Sequence, residues 1–152
     1  MPSVFSEILI KGPVQAAWQL ASEMEKYPEY MENVVAVKVL ERDDSDHTTI
    51  TSWITNVDGR KITWVEKDCF DLENLKIVYK QIVGDLKKFQ GEWSFRQVGD
   101  ETLVTLSVDF EFGIPMLSNL LNPVVAKKVK GNCEAMLKAI KAQVEKDNVQ
   151  VS

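Results

Sequence analysis

A long, nearly uninterrupted β-rich region followed by one helical segment is the feature that most constrains this chain. The region runs from Val34 to Phe112, and a helical pattern with an apolar stripe extends from Leu117 to Val144. An antiparallel sheet of this length has a face to bury, and a single amphipathic helix covers such a face only along a line. The pattern therefore predicts a sheet, a covering helix and an internal cavity between them.

Short polar or glycine-containing turns divide the β-rich region into six strands. The clearest of these turns are Asp58-Gly59, Gly84-Asp85 and Gly99-Asp100. A further strand, Val4 to Ile10, is separated by Gly12-Pro13 from helical spacing between Val14 and Met24, and Tyr27-Pro28 permits a second brief helix. Strands of this length joined by tight turns predict a seven-stranded antiparallel meander.

Pro123 interrupts the final helical pattern. Because Asn122 can cap a helix and proline suits the first helical position, we expect a short helix near Met116–Leu121 and a long one from Pro123 to about Lys146. The apolar stripe that we expect to pack on the sheet consists of Val125, Val129, Cys133, Met136, Ile140 and Val144.

Length and charge narrow the class of protein. The chain has 152 residues and a net charge of −5, so we expect one domain over residues 1–152 and no nucleic acid or anionic membrane as partner. The N-terminal residues lack the basic and apolar regions of a signal peptide, and no apolar run approaches the roughly 20 residues of a membrane span. We therefore expect a cytoplasmic protein without a transmembrane segment. The sequence does not indicate the oligomeric state.

Few residues suggest reactive chemistry. Cys69 and Cys133 are the only cysteines and are predicted to be buried free thiols, whereas His47 is predicted to be exposed in an acidic turn. The sequence contains no metal-ligand cluster, glycine-rich phosphate loop or serine-nucleophile elbow, so we expect no metal and no cofactor. Acid–base chemistry would then fall to carboxylates or tyrosines in a dry cavity.

The strand from Arg60 to Phe70 is the best candidate for such a site. Its even positions carry large apolar residues, which indicates that this face is turned inward and places Glu66 and Asp68 inside. Two carboxylates among apolar groups repel, and the pKa of at least one should rise. The pair is therefore a candidate acid/base pair or ligand anchor. The alternative is a bulge that turns both carboxylates to solvent.

The same alternation predicts the other inward positions. They are Leu75, Ile77, Tyr79, Gln81 and Val83, then Phe89, Trp93 and Phe95, then Val104, Leu106, Val108 and Phe110. Tyr79 and Gln81 are polar and could orient a ligand by hydrogen bonds. The candidate ligand-binding aromatic residues on these strands are Trp64, Phe89, Trp93 and Phe110.

Two segments resemble motifs of the START-like (SRPBCC) superfamily. Residues 25–34, EKYPEYMENV, are similar to its tyrosine-proline-x-aromatic segment, and residues 83–95, VGDLKKFQGEWSF, are similar to its glycine-turn, glycine-x-tryptophan hairpin. Together with the order of elements, they resemble the branch of polyketide aromatase/cyclases and coenzyme Q-binding START proteins. The resemblance implies an α+β helix-grip fold, in which an antiparallel seven-stranded curved sheet wraps around a long C-terminal helix.

The resemblance also bears on the site. It places Tyr27 and Tyr30 near the cavity mouth as candidate ligand contacts. Aromatase/cyclases carry an inward arginine and a nearby serine on the matching strand, and those positions here look like Asp68 and Glu66. Arg60, at the start of the strand, does not replace the arginine by position. A cationic clamp for a polyketide enolate is therefore not expected.

Three functions remain compatible with the sequence. The first is a protein resembling polyketide cyclase/dehydrase that binds a small hydrophobic or aromatic molecule, with Glu66 and Asp68 in acid–base roles and Tyr79 orienting the ligand. The second is a non-enzymatic lipid or quinone carrier. The third resembles ribosome-associated toxins, for which an acidic chain is a poor match. Carboxylates that line an enclosed pocket would favour the first, and carboxylates in solvent beside an apolar pocket would favour the second.

Overall fold

The computed structural model describes residues 3–57, 59–111 and 115–151, and it describes side chains of the final helix from residue 126 to residue 146. The strands are β1 Ser3–Lys11, β2 Val34–Asp43, β3 Thr48–Val57, β4 Arg60–Asp71, β5 Lys76–Gly84, β6 Lys88–Val98 and β7 Glu101–Glu111. The helices are α1 Val14–Ser22, a 3₁₀ helix Met24–Glu29 and α2 Pro115–Val151.

The seven strands form one antiparallel sheet in the order β1-β7-β6-β5-β4-β3-β2. Strands β2 to β7 follow one another as hairpins, and β1 joins the far edge beside β7. Helix α2 packs along β1 and also reaches β7 and β3. The predicted sheet and covering helix are confirmed, and the helix leaves open space above the middle strands.

Alternation in the strands builds the core beneath α2. In β7 every second side chain is buried, which turns Val104, Leu106, Val108 and Phe110 inward as predicted. On α2 the predicted stripe supplies Cys133, Ile140 and Val144, each no more than 4% exposed, while Val129 and Met136 are partly buried against them. The side chain of Val125 lies outside the described residues. The helix therefore meets the sheet along the predicted line.

The predicted break in the final helical segment is wrong. Residues Pro115–Val151 form one continuous helix, rather than a short helix followed by one that begins at Pro123. A proline inside a helix removes one backbone hydrogen bond and favours a kink, but the turns on either side keep their own bonds. A single proline is thus a weaker stop signal than the sequence pattern suggested.

The inward orientation predicted for Val83 is also wrong. The pairing of β4 with β5 shifts between Val65 and Glu66, so that Glu66 faces Gln81 while Val65 faces Val83. This bulge carries an extra residue, Ile82, and it reverses the alternation. Val83 consequently points outward and is 63% exposed.

The bulge gives Gly84 a different role from the turn glycine suggested by the sequence. Gly84 pairs with Trp64 on the inward-facing side, and a Cβ atom at position 84 would overlap the Cβ atom of Trp64. The absence of a side chain lets the end of β5 lie against the Trp64 side chain.

Both cysteines are free thiols, as predicted, but only Cys133 is buried. Cys69 occupies an odd position of β4, on the outer face, and is exposed. None of the helices in the described part of the chain has the length and hydropathy needed to cross a bilayer.

Candidate functional site

A cavity of about 370 Å³ lies between the inner face of the sheet and α2. Its described lining is mostly aromatic and aliphatic. The lining residues on the strands include Trp53, Ile62, Trp64, Glu66, Tyr79, Phe89, Trp93, Leu106, Val108 and Phe110. Helix α2 contributes Lys128, Val129, Asn132, Cys133 and Met136. This volume and this mixture of walls are typical of a site for a small organic ligand.

Strand β4 places two carboxyl groups side by side on the inward face. Glu66 is 3% exposed and lines the cavity, whereas Asp68 is fully buried and does not line it. The two carboxyl groups are neighbours on this face, and each shifts the pKa of the other. The inward orientation expected for both residues is confirmed, but only Glu66 can touch a ligand.

Each carboxyl group has its own donors within the protein. The Trp64 indole donates a hydrogen bond of 2.7 Å to Glu66 Oε1. The hydroxyls of Thr49 and Thr51 donate to Asp68 Oδ2 at 2.9 Å and 2.7 Å, respectively. Asp68 therefore has the better supply of donors for a negative charge.

Burial raises the pKa of both carboxyl groups. For Glu66 the pKa lies well above its ordinary value, because burial and the neighbouring Asp68 carboxyl group, through its contact and its charge, favour the neutral form. For Asp68 burial also raises the pKa, but hydrogen bonds from Glu66, Thr51 and Thr49 oppose the rise. Two adjacent buried carboxylates cannot readily both ionise, and the rise in pKa is larger for Glu66 than for Asp68, which has more donors.

Tyr79 lines the cavity with its ring, but its hydroxyl points into the protein. It donates a hydrogen bond of 2.7 Å to the backbone carbonyl of Ser107, reaching across β6. Gly91 makes this reach possible, since a Cβ atom there would lie 2.6 Å from the Tyr79 hydroxyl. A close approach of this kind is a usual reason for a glycine inside a strand. Burial raises the pKa of Tyr79 well above its ordinary value, so the phenol remains neutral.

The structure brings most of the predicted ligand-binding residues together. Trp64, Tyr79, Phe89, Trp93 and Phe110 all lie on the cavity wall with Glu66. Trp64 packs against the Phe89 ring at a centroid distance of 4.8 Å. These rings offer flat apolar surfaces to a ligand.

Tyr27, Tyr30 and Gln81 do not line this cavity. Tyr27 is fully buried behind the wall, where its hydroxyl donates to the Ala21 carbonyl and its ring packs edge-on against Trp53. Tyr30 packs against Tyr27, and burial raises its pKa. The described geometry therefore gives Tyr27 and Tyr30 a supporting position rather than a direct ligand contact.

The Gln81 side chain forms a hydrogen bond with the turn between β5 and β6. Its amide nitrogen donates a hydrogen bond of 2.7 Å to the Leu86 carbonyl. Leu86 itself lines the cavity. Gln81 pairs with Glu66 across the strands, but its side chain reaches the Leu86 carbonyl rather than the cavity, so it can influence a ligand only through the position of this turn.

Trp53 is one lining residue that sequence reasoning missed. It pairs with Trp64 across β3 and β4, and the two rings stack at a centroid distance of 5.5 Å. The Asp58-Gly59 pair in the sequence predicts a two-residue hairpin turn, and such a turn implies this register, so the pairing was available from the sequence. The Trp53 indole donates a hydrogen bond of 2.7 Å to the Thr51 hydroxyl, which in turn donates to Asp68.

Sequence reasoning did not include Arg60 among the ligand-binding residues. It lines the cavity although its side chain is exposed. The signal was its even position on β4, which it shares with Trp64 and Glu66. Lys128 lines the same cavity from α2, so cationic groups accompany the carboxyl of Glu66.

Metal ligands are not grouped in the described part of the chain. No three His, Cys, Asp or Glu side chains lie close enough there to hold a metal ion. His47 is exposed in the turn between β2 and β3, where its φ is 55°. Glu66 can supply hydrogen bonding and proton transfer at the cavity wall.

Comparison with known proteins identifies the family. Residues 10–137 match the family model described as "Polyketide cyclase / dehydrase and lipid transport". The chain belongs to this family. The match covers the end of β1 to the middle of α2, and so includes every described residue of the cavity wall.

Two curated relatives of this family member come from Streptomyces. The actinorhodin polyketide synthase bifunctional cyclase/dehydratase of Streptomyces coelicolor is 29% identical over 125 residues, which cover 78% of this chain and 39% of the relative. A putative polyketide cyclase of Streptomyces cyaneus is 24% identical over 106 residues, which cover 69% of this chain and 70% of the relative. The chain thus spans well under half of the bifunctional relative.

Solved structures confirm the helix-grip fold predicted for this family member. The TTHA0849 protein of Thermus thermophilus superposes with a TM-score of 0.89 at 29% identity, covering 96% of this chain and 99% of that one. The Zhui aromatase/cyclase of Streptomyces sp. R1128 gives 0.85 at 18% identity, with 95% and 93% covered. A START superfamily protein of Mycobacterium smegmatis gives 0.83 at 20% identity, with 95% and 97% covered.

Proposed function

We propose that this protein binds a small hydrophobic or aromatic molecule in the cavity, with Glu66 as its polar anchor. The observation that carries the proposal is a carboxyl group, 3% exposed, in the wall of an otherwise mainly apolar cavity. A cavity of about 370 Å³ accommodates a compact organic molecule of two or three rings. Residues 1–152 would act as one domain.

The aromatic wall favours a ligand with a planar ring. Trp53 and Trp64 stack with an interplanar angle of 5°, and Phe89 is tilted by 50° against Trp64. Rings fixed in this way lose little conformational freedom when a ligand binds. A favourable aromatic contact contributes about 0.5–1.5 kcal/mol beyond the burial of its area.

The enzymatic form of the proposal is a reaction of the cyclase/dehydrase type. Such reactions require a proton to leave carbon or oxygen and another to reach an oxygen, and Glu66 is the cavity-lining carboxyl that can take part. The two Streptomyces relatives named as cyclases support this class. Burial of the ligand would hold its reacting atoms beside Glu66, and such positioning accelerates a reaction.

The alternative is a non-enzymatic lipid or quinone carrier of the coenzyme Q-binding type. Two observations favour it. The Tyr79 hydroxyl is committed to the Ser107 carbonyl, and Asp68 does not reach the cavity wall. A carrier needs only the apolar walls and one polar anchor.

Native mass spectrometry of protein purified from its own host, combined with tryptophan fluorescence titration, tests both forms. We expect a co-purifying aromatic compound, and saturable quenching by 2-tetralone, a bicyclic aromatic ketone. The fluorescence of Trp53, Trp64 and Trp93 should respond because all three line the cavity.

A quinone or lipid recovered from the protein, together with weak binding of 2-tetralone, would favour the carrier over the cyclase form. A protein that binds none of these compounds would contradict the proposal as a whole. Glu73→Gln is the matched control for Glu66→Gln, since Glu73 is exposed in the turn between β4 and β5 and does not line the cavity.

A further inference from the structure

We propose that Asp68 is the base of this site and that it acts through Glu66, which passes it a proton from an enolisable aromatic ligand. This inference rests on the proposed function, because it requires a ligand beside Glu66. It assigns the proton acceptor to a residue that does not line the cavity.

The two oxygens of Asp68 have different surroundings. Oδ2 accepts hydrogen bonds from Thr49 and Thr51 at 2.9 Å and 2.7 Å. Oδ1 is buried and accepts no hydrogen bond from any donor among the described residues. A proton on Glu66 would satisfy Oδ1, since the two carboxyl groups are neighbours on the buried face of β4 and each affects the pKa of the other. Asp68 is thus built to carry the negative charge of the pair.

With the charge on Asp68, Glu66 is the protonated member of the pair, yet it lines the cavity and can still accept a hydrogen bond there. Its proton is directed at Asp68, and Trp64 already donates to Oε1 at 2.7 Å. A carboxylic acid in this arrangement retains a lone pair on Oε1 for a third partner. That partner is a group on the ligand that can give up a proton.

The transfer balances within the site. A C–H bond next to the ligand's carbonyl breaks and its proton bonds to Glu66 Oε1, while the other oxygen of Glu66 gives its proton to Asp68 Oδ1. The electron pair of the broken bond forms the enolate, so the negative charge moves from Asp68 to the ligand oxygen. Because the net charge of the buried site is unchanged, no additional buried charge has to be stabilised.

The tyrosine and cysteine side chains around the pair remain neutral over the pH range in which carboxyl groups titrate. Tyr27 from the 3₁₀ helix and Tyr79 from β5 both have a pKa raised by burial. Cys133 from α2 lines the same cavity, and burial raises its pKa to about 12. The cationic groups of Arg60 and Lys128 line the cavity and would stabilise an enolate.

Deuterium exchange into 2-tetralone, followed by proton NMR in heavy water, tests the proposal. We expect wild-type protein to accelerate exchange at the α-carbon, and both Asp68→Asn and Glu66→Gln to lower the rate by about a hundredfold while 2-tetralone still quenches the fluorescence. The matched controls are Asp44→Asn and Glu73→Gln, both at exposed positions, which should exchange like wild type.

A second variant covers the case in which Asp68→Asn fails to fold. Thr49→Val removes a hydroxyl that lowers the pKa of Asp68, so the exchange rate should rise to its plateau at a higher pH than in wild type. If Asp68 had a purely structural role, the pH at which the exchange rate reaches half of its plateau would be the same in Thr49→Val and in wild type.

The outcomes separate the two proposals. Binding of 2-tetralone without accelerated exchange would overturn the relay and leave the binding proposal intact. Exchange that persists in Asp68→Asn would exclude Asp68 as the base. Absence of binding would overturn both.

Discussion

Asp68 lies behind Glu66, fully buried, and contacts through its carboxyl group the one acid among the described residues that lines the cavity. Cross-strand neighbours on β3 hold this arrangement, because Thr49 pairs with Asp68 and Thr51 with Glu66. The pair thus belongs to the sheet rather than to a loop, which favours a fixed geometry.

The stability of the protein should fall as the pH rises. A carboxyl group whose pKa is raised on folding stabilises the protein below its ordinary pKa, and this contribution is lost as the pH rises through the raised value. For Glu66, whose ordinary pKa is 4.5, the loss begins near that value. Urea unfolding should give a free energy that decreases by up to about 1.4 kcal/mol per pH unit.

Glu66→Gln provides the comparison for this pH dependence. Glutamine resembles the protonated acid and can donate to Asp68, so the variant should unfold with a similar free energy at low pH and a flatter pH profile. An unchanged slope in the variant would show that Glu66 does not titrate with a raised pKa.

Thr51→Val should destabilise the protein more than Thr49→Val. The Thr51 hydroxyl accepts from the Trp53 indole and donates to Asp68, whereas the bond of Thr49 is to Asp68 alone. Valine at position 51 leaves a buried indole N–H without its acceptor, at a cost of about 1–3 kcal/mol. Chemical denaturation of the two variants measures the difference, and equal losses would contradict the bridging role of Thr51.

Gly91→Ala should destabilise the protein by about 1–3 kcal/mol. Its Cβ atom would overlap the Ser107 carbonyl and crowd the Tyr79 hydroxyl, breaking the bond that crosses β6. Gly131→Ala is the matched control, since Gly131 lies in α2 with no atom within 4 Å of an added Cβ. There alanine should be neutral or should stabilise the helix by up to about 1 kcal/mol. Similar thermal unfolding of both variants would refute the predicted crowding.

Arg60→Gln should weaken binding of an anionic aromatic ligand such as 2-naphthoate and leave binding of neutral 2-tetralone unchanged. Arg60 lines the cavity but is exposed, so the loss should not exceed about fivefold. Lys61→Gln is the control, because Lys61 is exposed on the opposite face of β4 and does not line the cavity. Fluorescence titration measures both ligands, and equal losses in the two variants would point to a general charge effect.

The periodicity of the strands predicted much of this molecule. Strand alternation correctly predicted that Glu66 and Asp68 face inward, because β4 keeps its regular pairing with β3 throughout. It failed at Val83, where the extra residue of the β5 bulge reverses the faces and no sequence signal marks the reversal. The helix break failed for a related reason, since the effect of Pro123 depends on the surrounding turns.

Side-chain partners were less accessible to sequence reasoning. The register set by the Asp58-Gly59 turn would have placed Trp53 opposite Trp64, but it could not show which indole donates to which oxygen. The hydroxyl of Tyr79 points away from the cavity because Gly91 opens a path to β7, a relationship between three strands. Such contacts depend on distances that periodicity does not contain.

Carbon-13 NMR of the glutamate carboxyl groups during titration with 2-tetralone is the most direct test of a ligand anchored at Glu66. The resonance of Glu66 is identified by its loss in Glu66→Gln. We predict that this resonance shifts on binding while that of exposed Glu73 does not, because only Glu66 of the two lines the cavity. Saturable binding that leaves the Glu66 resonance in place would contradict the account.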